Sequence, residues 1–176
     1  GTASEQEKAL VLYDAAREAG FSENQAIALI GEIFRENSFR NDLLFGTHLD
    51  PANAATNAGI ISWQGDRRTN LINFMKDPTL NGTGKVLATD DGRIIPGTES
   101  LEAQFRFMIS EMNTIPSYNE TKTRFLGNPN VSLQEAETLL GENYIRWRIY
   151  DPKYRSDSLA NKNYGISVIT NALKNR

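Results

Sequence analysis

The feature that most constrains the fold of this chain is a helix-start signal that occurs four times. A serine is followed three residues later by glutamate or glutamine at Ser4–Glu7, Ser22–Gln25, Ser117–Glu120 and Ser132–Glu135. In such a capping box the hydroxyl accepts a hydrogen bond from a free backbone N–H, and the later side chain bonds back to the serine backbone. Because apolar residues at helical spacing follow these signals, the sequence predicts a mainly α protein.

The predicted helices are interrupted early by a region of different composition. They cover residues 5–19 and 23–36 before it, and begin near Asp66, Thr98, Ser117, Ser132 and Leu159 after it. Between them, residues 37–65 are rich in Asn, Asp, Gly, Pro and Thr, and residues 60–63 have the composition of a short strand. Residues 85–89 are predicted to pair with residues 93–95 across an Asp-Asp-Gly turn. We therefore expect a single mainly α (α+β) domain over residues 1–176, with a small β-hairpin or sheet after the second helix.

Composition excludes several kinds of active site. The chain has no cysteine and one histidine, His48, which rules out disulfides, thiolate nucleophiles and multi-histidine metal centres. A net charge of −3 with only small basic clusters argues against nucleic acid binding. The apolar runs are too short for insertion into a membrane. Any catalysis must use carboxylates, hydroxyls, amides or lysines, and we expect no metal or cofactor.

Glu36 is the most informative residue of the sequence, because it falls in the last turn of the second predicted helix. The partly negative helix end and apolar neighbours such as Phe39 both disfavour an ionised carboxylate and would raise its pKa. A carboxyl that stays protonated can donate a proton to a leaving oxygen. The alternative is a solvated helix end at which Glu36 pairs with Arg35 or Arg40. Glu32, one turn earlier, is either a helper or a surface charge.

A second carboxylate is expected from the loop that follows, where Asp42 and Asp50 are the candidates. Glycosidases use two carboxyl groups whose separation distinguishes inverting from retaining enzymes. Asp50 precedes Pro51, which disfavours helix at that point and suits the start of the β region. The alternatives are that Asp50 is an ordinary turn residue and that Asp42 caps a short helix.

An ordered set of short motifs resembles the phage tail lysozyme family, a branch of the lysozyme-like glycoside hydrolases. The matching residues are Gly20-Phe21-Ser22, Gln25-Ala26, Ile30-Gly31, Glu36, Phe39, Gly59-Ile60, Trp63, Gly65-Asp66-Arg67-Arg68, and later Leu101, Gln104 and Phe105. The similar core spans residues 21–113, and residues 114–176 form a C-terminal helical extension. In this family a helix ends at a catalytic glutamate, and a tryptophan-containing strand lines the sugar cleft.

The resemblance implies a lysozyme-like fold and a muramidase that uses Glu36 as general acid on the β-1,4 bond between N-acetylmuramic acid and N-acetylglucosamine. The sequence departs from the family pattern at two places, one beside Trp63 and one directly after Glu36. Ser62 stands where family members often carry Gln before the tryptophan, with Gln64 on its other side, and Asn37-Ser38 replaces the usual Ser-Gly. A lytic transglycosylase that uses the same glutamate, and a non-catalytic peptidoglycan-binding or structural tail module, remain alternatives.

Further substrate contacts are predicted for residues that each have an ordinary structural alternative. Trp63 either stacks a sugar ring or packs in the core. Tyr118 either reaches a groove or opens a short helix, and His48 contacts substrate, holds Asp50, or does neither. Ser62 and Gln64 flank the tryptophan and are expected to contact the sugar.

The resemblance also implies where and with what the chain acts. Its partners are the glycan strands of bacterial peptidoglycan and, for delivery, a phage tail or a secretion-system carrier protein. We expect no signal peptide of its own. The expected place of action is the cell wall, on its periplasmic or extracellular side.

Overall fold

The computed structural model describes residues 3–50, 55–147 and 151–176, and the described chain is mostly helical. The helices are α1 (Ala3–Ala19), α2 (Glu23–Asn37), α3 (Asn41–Leu44), α4 (Gly65–Lys76), α5 (Thr98–Thr114), α6 (Asn119–Thr121), α7 (Leu133–Leu139) and α8 (Pro152–Lys174). The strands are β1 (Thr47–Asp50), β2 (Ala55–Ala58) and β3 (Trp63–Gln64). The predicted mainly α fold with a small sheet after the second helix is confirmed.

The capping signal at Ser22 forms as predicted and fixes the start of α2. The Gln25 N–H donates to the Ser22 hydroxyl at 3.4 Å, and the Ser22 N–H donates to the Gln25 side chain at 2.8 Å. Ser132 likewise accepts from the Glu135 N–H at the start of α7. The prediction is wrong at Ser4, which lies inside α1, and at Ser117, which lies inside a 3₁₀ turn. Asp66 also falls inside its helix, because α4 begins at Gly65.

The β region forms an antiparallel sheet in the order β1-β2-β3. The prediction of a strand over residues 60–63 is wrong, since only Trp63 of these joins the sheet and the preceding residues form a turn. The Ile60 N–H donates to the Gln104 side chain at 2.8 Å, and the Ile60 carbonyl accepts from the Asn37 amide at 3.0 Å. Side chains from two helices therefore satisfy the backbone groups that a neighbouring strand would otherwise have bonded.

The second predicted β element is a minimal hairpin. The Thr89 N–H donates to the Arg93 carbonyl, and the Ile95 N–H donates to the Leu87 carbonyl. Gly92 provides the positive φ of +82° that the predicted turn requires. Only the pair Ala88 and Ile94 forms a β-bridge here.

The C-terminal helix α8 packs along α2 and also contacts α1. Two glycines allow the close approach, because a Cβ on Gly165 would lie 2.4 Å from the Phe34 Cβ, and one on Gly31 would lie 2.7 Å from the Ile166 Cγ1. Helix α8 begins at Pro152, several residues before the predicted start near Leu159. Within the described ranges, no helix is long and apolar enough to cross a membrane.

Candidate active site

A cleft of about 230 Å³ opens where the end of α2 meets the small sheet, the start of α4 and the segment after α7. Most of the side chains that line it are polar, and the two apolar ones are isoleucines. The lining residues are Glu36, Asn57, Ile61, Ser62, Gln64, Arg67 and Ile145. Three of the residues predicted from the sequence, Glu36, Ser62 and Gln64, are therefore brought together.

Glu36 borders this cleft from the last turn of α2, and its side chain is 23% exposed. Its Oε1 accepts a hydrogen bond from Arg35 Nη2 at 2.6 Å. The ion pair with Arg35 that the sequence left as an alternative is therefore present, but the carboxylate also faces a concave surface. Among the described residues that line the cleft, Glu36 is the only carboxylate.

The backbone after Glu36 is held in an unusual conformation. Ser38 and Phe39 both have positive φ, at 52° and 59°, directly beyond the helix end. The other non-glycine residues of the described chain with positive φ are Ser62, in the cleft wall, and Arg146, next to the cleft residue Ile145. Such strained backbone tends to concentrate at functional sites. Two of these four residues therefore follow the helix end that carries Glu36, and the other two line the cleft or adjoin its lining.

Asn57 lines the cleft with a side-chain amide whose oxygen has no hydrogen-bond partner in the described chain. The residue is only 8% exposed, and its Oδ1 is buried and unbonded within the described chain. Buried polar groups are nearly always hydrogen-bonded, because leaving one unpaired costs roughly 1–3 kcal/mol. An unpaired amide oxygen in the wall of a cleft is therefore well placed to receive a polar group of a ligand.

Arg67 is fixed in the cleft wall by a buried carboxylate. Its Nε and Nη2 donate to the two oxygens of Glu111 at 2.7 and 2.8 Å. Glu111 Oε1 also accepts from Trp63 Nε1 at 2.8 Å and from the Tyr144 hydroxyl at 2.7 Å. Burial, reinforced by Glu111, raises the pKa of Tyr144 well above its usual value, so this hydroxyl remains a donor. The network presents the Arg67 guanidinium to the cleft in a rigid orientation.

The two candidates for a second carboxylate are placed differently. Asp42 lies in α3, where its exposed side chain pairs with Arg40, and it does not line the cleft. It also does not cap α3, since Arg40 occupies the cap position. Asp50 and His48 belong to β1, whose register pairs His48 with Asn57 and Asp50 with Ala55. Their side chains lie outside the described part of the structure.

Comparison with known proteins adds a direct result. The family model described as phage tail lysozyme matches residues 7–165, which is most of the chain. The chain belongs to the phage tail lysozyme family. No curated protein and no solved structure gives a significant match. Membership indicates a lysozyme-like role in degrading peptidoglycan, in association with a phage tail.

In this member of the family, two aromatic residues that were predicted to contact substrate are buried. Trp63 packs edge-on against Phe107 and under Gly59. Tyr118 is buried against Tyr144, with the Arg67 guanidinium over its ring. Both rings pack behind Arg67, and contact of either ring with substrate stays a prediction.

Three important residues of the lysozyme cleft were missed or undervalued in the sequence. Arg67 stands within the motif Gly65-Asp66-Arg67-Arg68, to which the sequence gives no place in the cleft. Asn57 lies in a polar stretch and Glu111 in an amphipathic helix, and neither is predicted as a site residue. No local pattern marks Asn57 or Glu111, since their roles depend on residues dozens of positions away.

Proposed function

We propose that this phage tail lysozyme is a muramidase that hydrolyses the β-1,4 bond between N-acetylmuramic acid and N-acetylglucosamine, with Glu36 as general acid. The observation that carries the proposal is the position of Glu36. Its carboxyl group stands at the end of α2 and borders a polar cleft that also presents an arginine and an amide oxygen without a hydrogen-bond partner in the described chain. A proton donor beside hydrogen-bonding groups is the arrangement that cleavage of a glycosidic bond requires.

In the proposed reaction, the Glu36 carboxyl group gives its proton to the glycosidic oxygen. The bond from that oxygen to the anomeric carbon breaks, and the sugar gains oxocarbenium character. A water molecule adds to the anomeric carbon and loses a proton. We assign Asp50 to one of two roles: it takes the proton of this water as a base, or it stabilises the positive charge while the deprotonated Glu36 takes that proton. Asp42 is a poorer candidate because it lies on α3, away from the cleft lining.

Substrate contacts are assigned to the polar groups that surround Glu36. The Asn57 amide would bond a hydroxyl or an acetamido group of the sugar, which would satisfy its buried oxygen. Ser62 and Gln64 lie on the same wall and supply further hydrogen bonds. Arg67 would bind a carboxylate of the wall polymer, because its guanidinium is fixed and always charged.

The proposal is tested by the lysis of purified sacculi, followed as loss of turbidity. Glu36→Gln keeps the shape of the side chain but removes its acidic proton, so lysis should disappear while the melting temperature stays nearly unchanged. Glu18→Gln, an exposed glutamate of α1, is the matched control and should lyse at the wild-type rate. Full activity of Glu36→Gln would refute the assignment, and binding of wild type without turbidity loss would indicate a non-catalytic module.

A lytic transglycosylase is the second candidate, because it would use the same proton donor, Glu36, at the border of the cleft and needs no second carboxylate to direct water. In that reaction a sugar hydroxyl attacks the anomeric carbon and an anhydro sugar is released. The masses of the released muropeptides separate the two reactions, because the anhydro product is lighter by one water.

A further inference from the structure

A fully buried carboxylate stands one helical turn before Glu36. Glu32 is 0% exposed, and its Oε2 accepts a hydrogen bond from Arg35 Nε at 2.9 Å. Its Oε1 has no partner in the described chain. Burial raises the pKa of Glu32, and the neighbouring Arg35 offsets only part of that rise. A half-satisfied carboxylate in the interior is unfavourable, so its presence calls for a role.

Arg35 connects this buried carboxylate to the cleft. Its side chain is 5% exposed, with Nε on Glu32 and Nη2 on Glu36. The guanidinium carbon lies 5.3 Å from the centre of the Trp147 ring, which covers it. One buried cation is thus divided between two carboxylates, of which only Glu36 reaches the cleft.

The other charged groups that the structure describes near this helix end either have partners of their own or line a different cavity. On α8, Lys162 pairs with Glu137 of α7 at 3.2 Å, and its Nζ lies over the ring of Trp147, which also covers Arg35. Across the cleft, Arg67 is bonded to Glu111, which also binds the Tyr144 hydroxyl. Glu142 and Arg155 line a separate cavity beside Trp147, which shares no lining residue with the Glu36 cleft. Arg35 is therefore the cation in direct contact with Glu36, and Glu32 is its other partner.

We propose that Glu32 is a positioning residue that holds Arg35 back from full pairing with Glu36, and so allows Glu36 to take up the proton it must donate. The inference rests on the proposed function of Glu36. An arginine that faces one carboxylate favours the ionised form of that carboxylate. A second carboxylate bound to the same arginine weakens the attraction between that arginine and Glu36. Its negative charge also repels an ionised Glu36. Glu32 acts through Arg35 and does not touch substrate.

The test is the pH dependence of sacculus lysis for wild type, Glu32→Gln and Arg35→Gln. The basic limb of such a profile reports the loss of the acid's proton. Glu32→Gln leaves Arg35 to Glu36 alone, so the limb should move by about one pH unit toward acid. Arg35→Gln removes the cation, so the limb should move by a similar amount toward alkali. Glu18→Gln should leave it in place.

Opposite displacements of the limb are the signature of the proposed role. A purely structural role would lower the maximum rate of both variants without moving either limb, and that result would overturn the inference. If Glu32→Gln does not fold, Glu32→Asp is used in its place. Its side chain is shorter by one methylene, which moves the carboxylate away from Arg35, so the limb should move toward acid by less than about one pH unit. Glu36→Gln is run alongside. Activity in that variant would refute the proposed function, whereas an inactive Glu36→Gln with unmoved limbs would refute only the role of Glu32.

Discussion

Asn57 combines two properties that seldom occur together in a folded protein. It is more than nine-tenths buried, yet its amide oxygen bonds to nothing in the described chain. Leaving such an oxygen unpaired is unfavourable, so we expect it to accept a hydrogen bond from a ligand in the cleft.

We expect Asn57→Ala to reduce lysis without reducing stability. Loss of a hydrogen bond to the sugar should lower the lysis rate at limiting wall concentration on the order of tenfold. The free energy of unfolding should change by less than about 1 kcal/mol, because the buried amide oxygen that is removed has no hydrogen bond in the described chain. Asn70→Ala on the exposed face of α4 is the control and should change neither quantity. A strongly destabilised Asn57→Ala with normal lysis per folded molecule would contradict this assignment.

Glu111 is the opposite case, a carboxylate whose oxygens are both fully used. It accepts from Trp63 and Arg67, which lie four residues apart across the β3–α4 junction, and from Tyr144 in the segment after α7. Glu111→Gln removes the charge that neutralises Arg67. Because Arg67 is partly exposed, we expect a loss of about 2–3 kcal/mol in the free energy of unfolding, measured by denaturant titration.

The comparison variant for Glu111 is Glu99→Gln, which breaks an exposed ion pair with Lys85. Exposed pairs contribute little, so the change should stay below about 1 kcal/mol. Equal effects of the two substitutions would show that the Glu111 network does not stabilise the wall of the cleft.

At the scale of the elements, α2 is fixed at both of its ends. At its start, the Ser22 and Gln25 side chains form the capping box, and Gln25 Nε2 also donates to the Phe125 carbonyl at 2.5 Å. At its end, the Asn37 amide bonds the Ile60 carbonyl. The helix that carries Glu36 is thereby tied to the C-terminal segment and to the turn before β3.

We expect Ser22→Ala to cost about 1 kcal/mol of the free energy of unfolding, because the Gln25 N–H loses its cap. Ser4→Ala carries the same sequence signal but lies within α1, so its change should stay within about 0.5 kcal/mol. Denaturant unfolding of the two variants gives the comparison. A loss at Ser4 as large as that at Ser22 would show that the cap geometry is not the source of the effect.

The elements that the sequence predicts well are those whose stabilising contacts are local. The capping box and apolar stripe of α2, and the glycine turn at residues 90–92, each involve neighbours within a few positions. Residues 60–63 have the composition of a strand because three of the four are apolar, but residues 60–62 form a turn. The bonds that fix this turn come from Asn37 and Gln104, which lie 23 and 44 positions from Ile60. No local pattern contains that information.

At the scale of the whole molecule, the cleft depends on the way in which α8 supports α2. Gly165 on α8 lies against Phe34, two residues before Glu36, at a distance that leaves no room for a methyl group. The C-terminal helices thus belong to the support of the site, and the family match likewise extends to residue 165.

We expect Gly165→Ala to destabilise the protein by about 1–3 kcal/mol and to lower the lysis rate, because the added Cβ must displace α8 from α2. Asn163→Ala, two residues earlier on an exposed position of α8, should be neutral within about 0.5 kcal/mol. Thermal unfolding and turbidity loss would be measured on both variants. Unchanged stability of Gly165→Ala would show that α8 is not tightly packed on the helix of Glu36.

The candidate site could be predicted from the sequence only in part, for a related reason. Glu36 was found because its helix is readable from local signals. Ser62 and Gln64 were found through their place beside a family tryptophan. For Trp63 and Tyr118 the alternatives stayed open, because a sequence does not show which side of a wall a ring occupies. Asn57, Arg67 and Glu111 take their roles from the assembled fold.

The mass spectrum of muropeptides released from purified sacculi tests the central claim most directly, with wild type and Glu36→Gln compared under the same conditions. For wild type we expect soluble disaccharide-peptides that end in a reducing N-acetylmuramic acid, and for Glu36→Gln we expect none. Release of the same products by Glu36→Gln at the wild-type rate would contradict the assignment of Glu36 as the acid that cleaves the glycan.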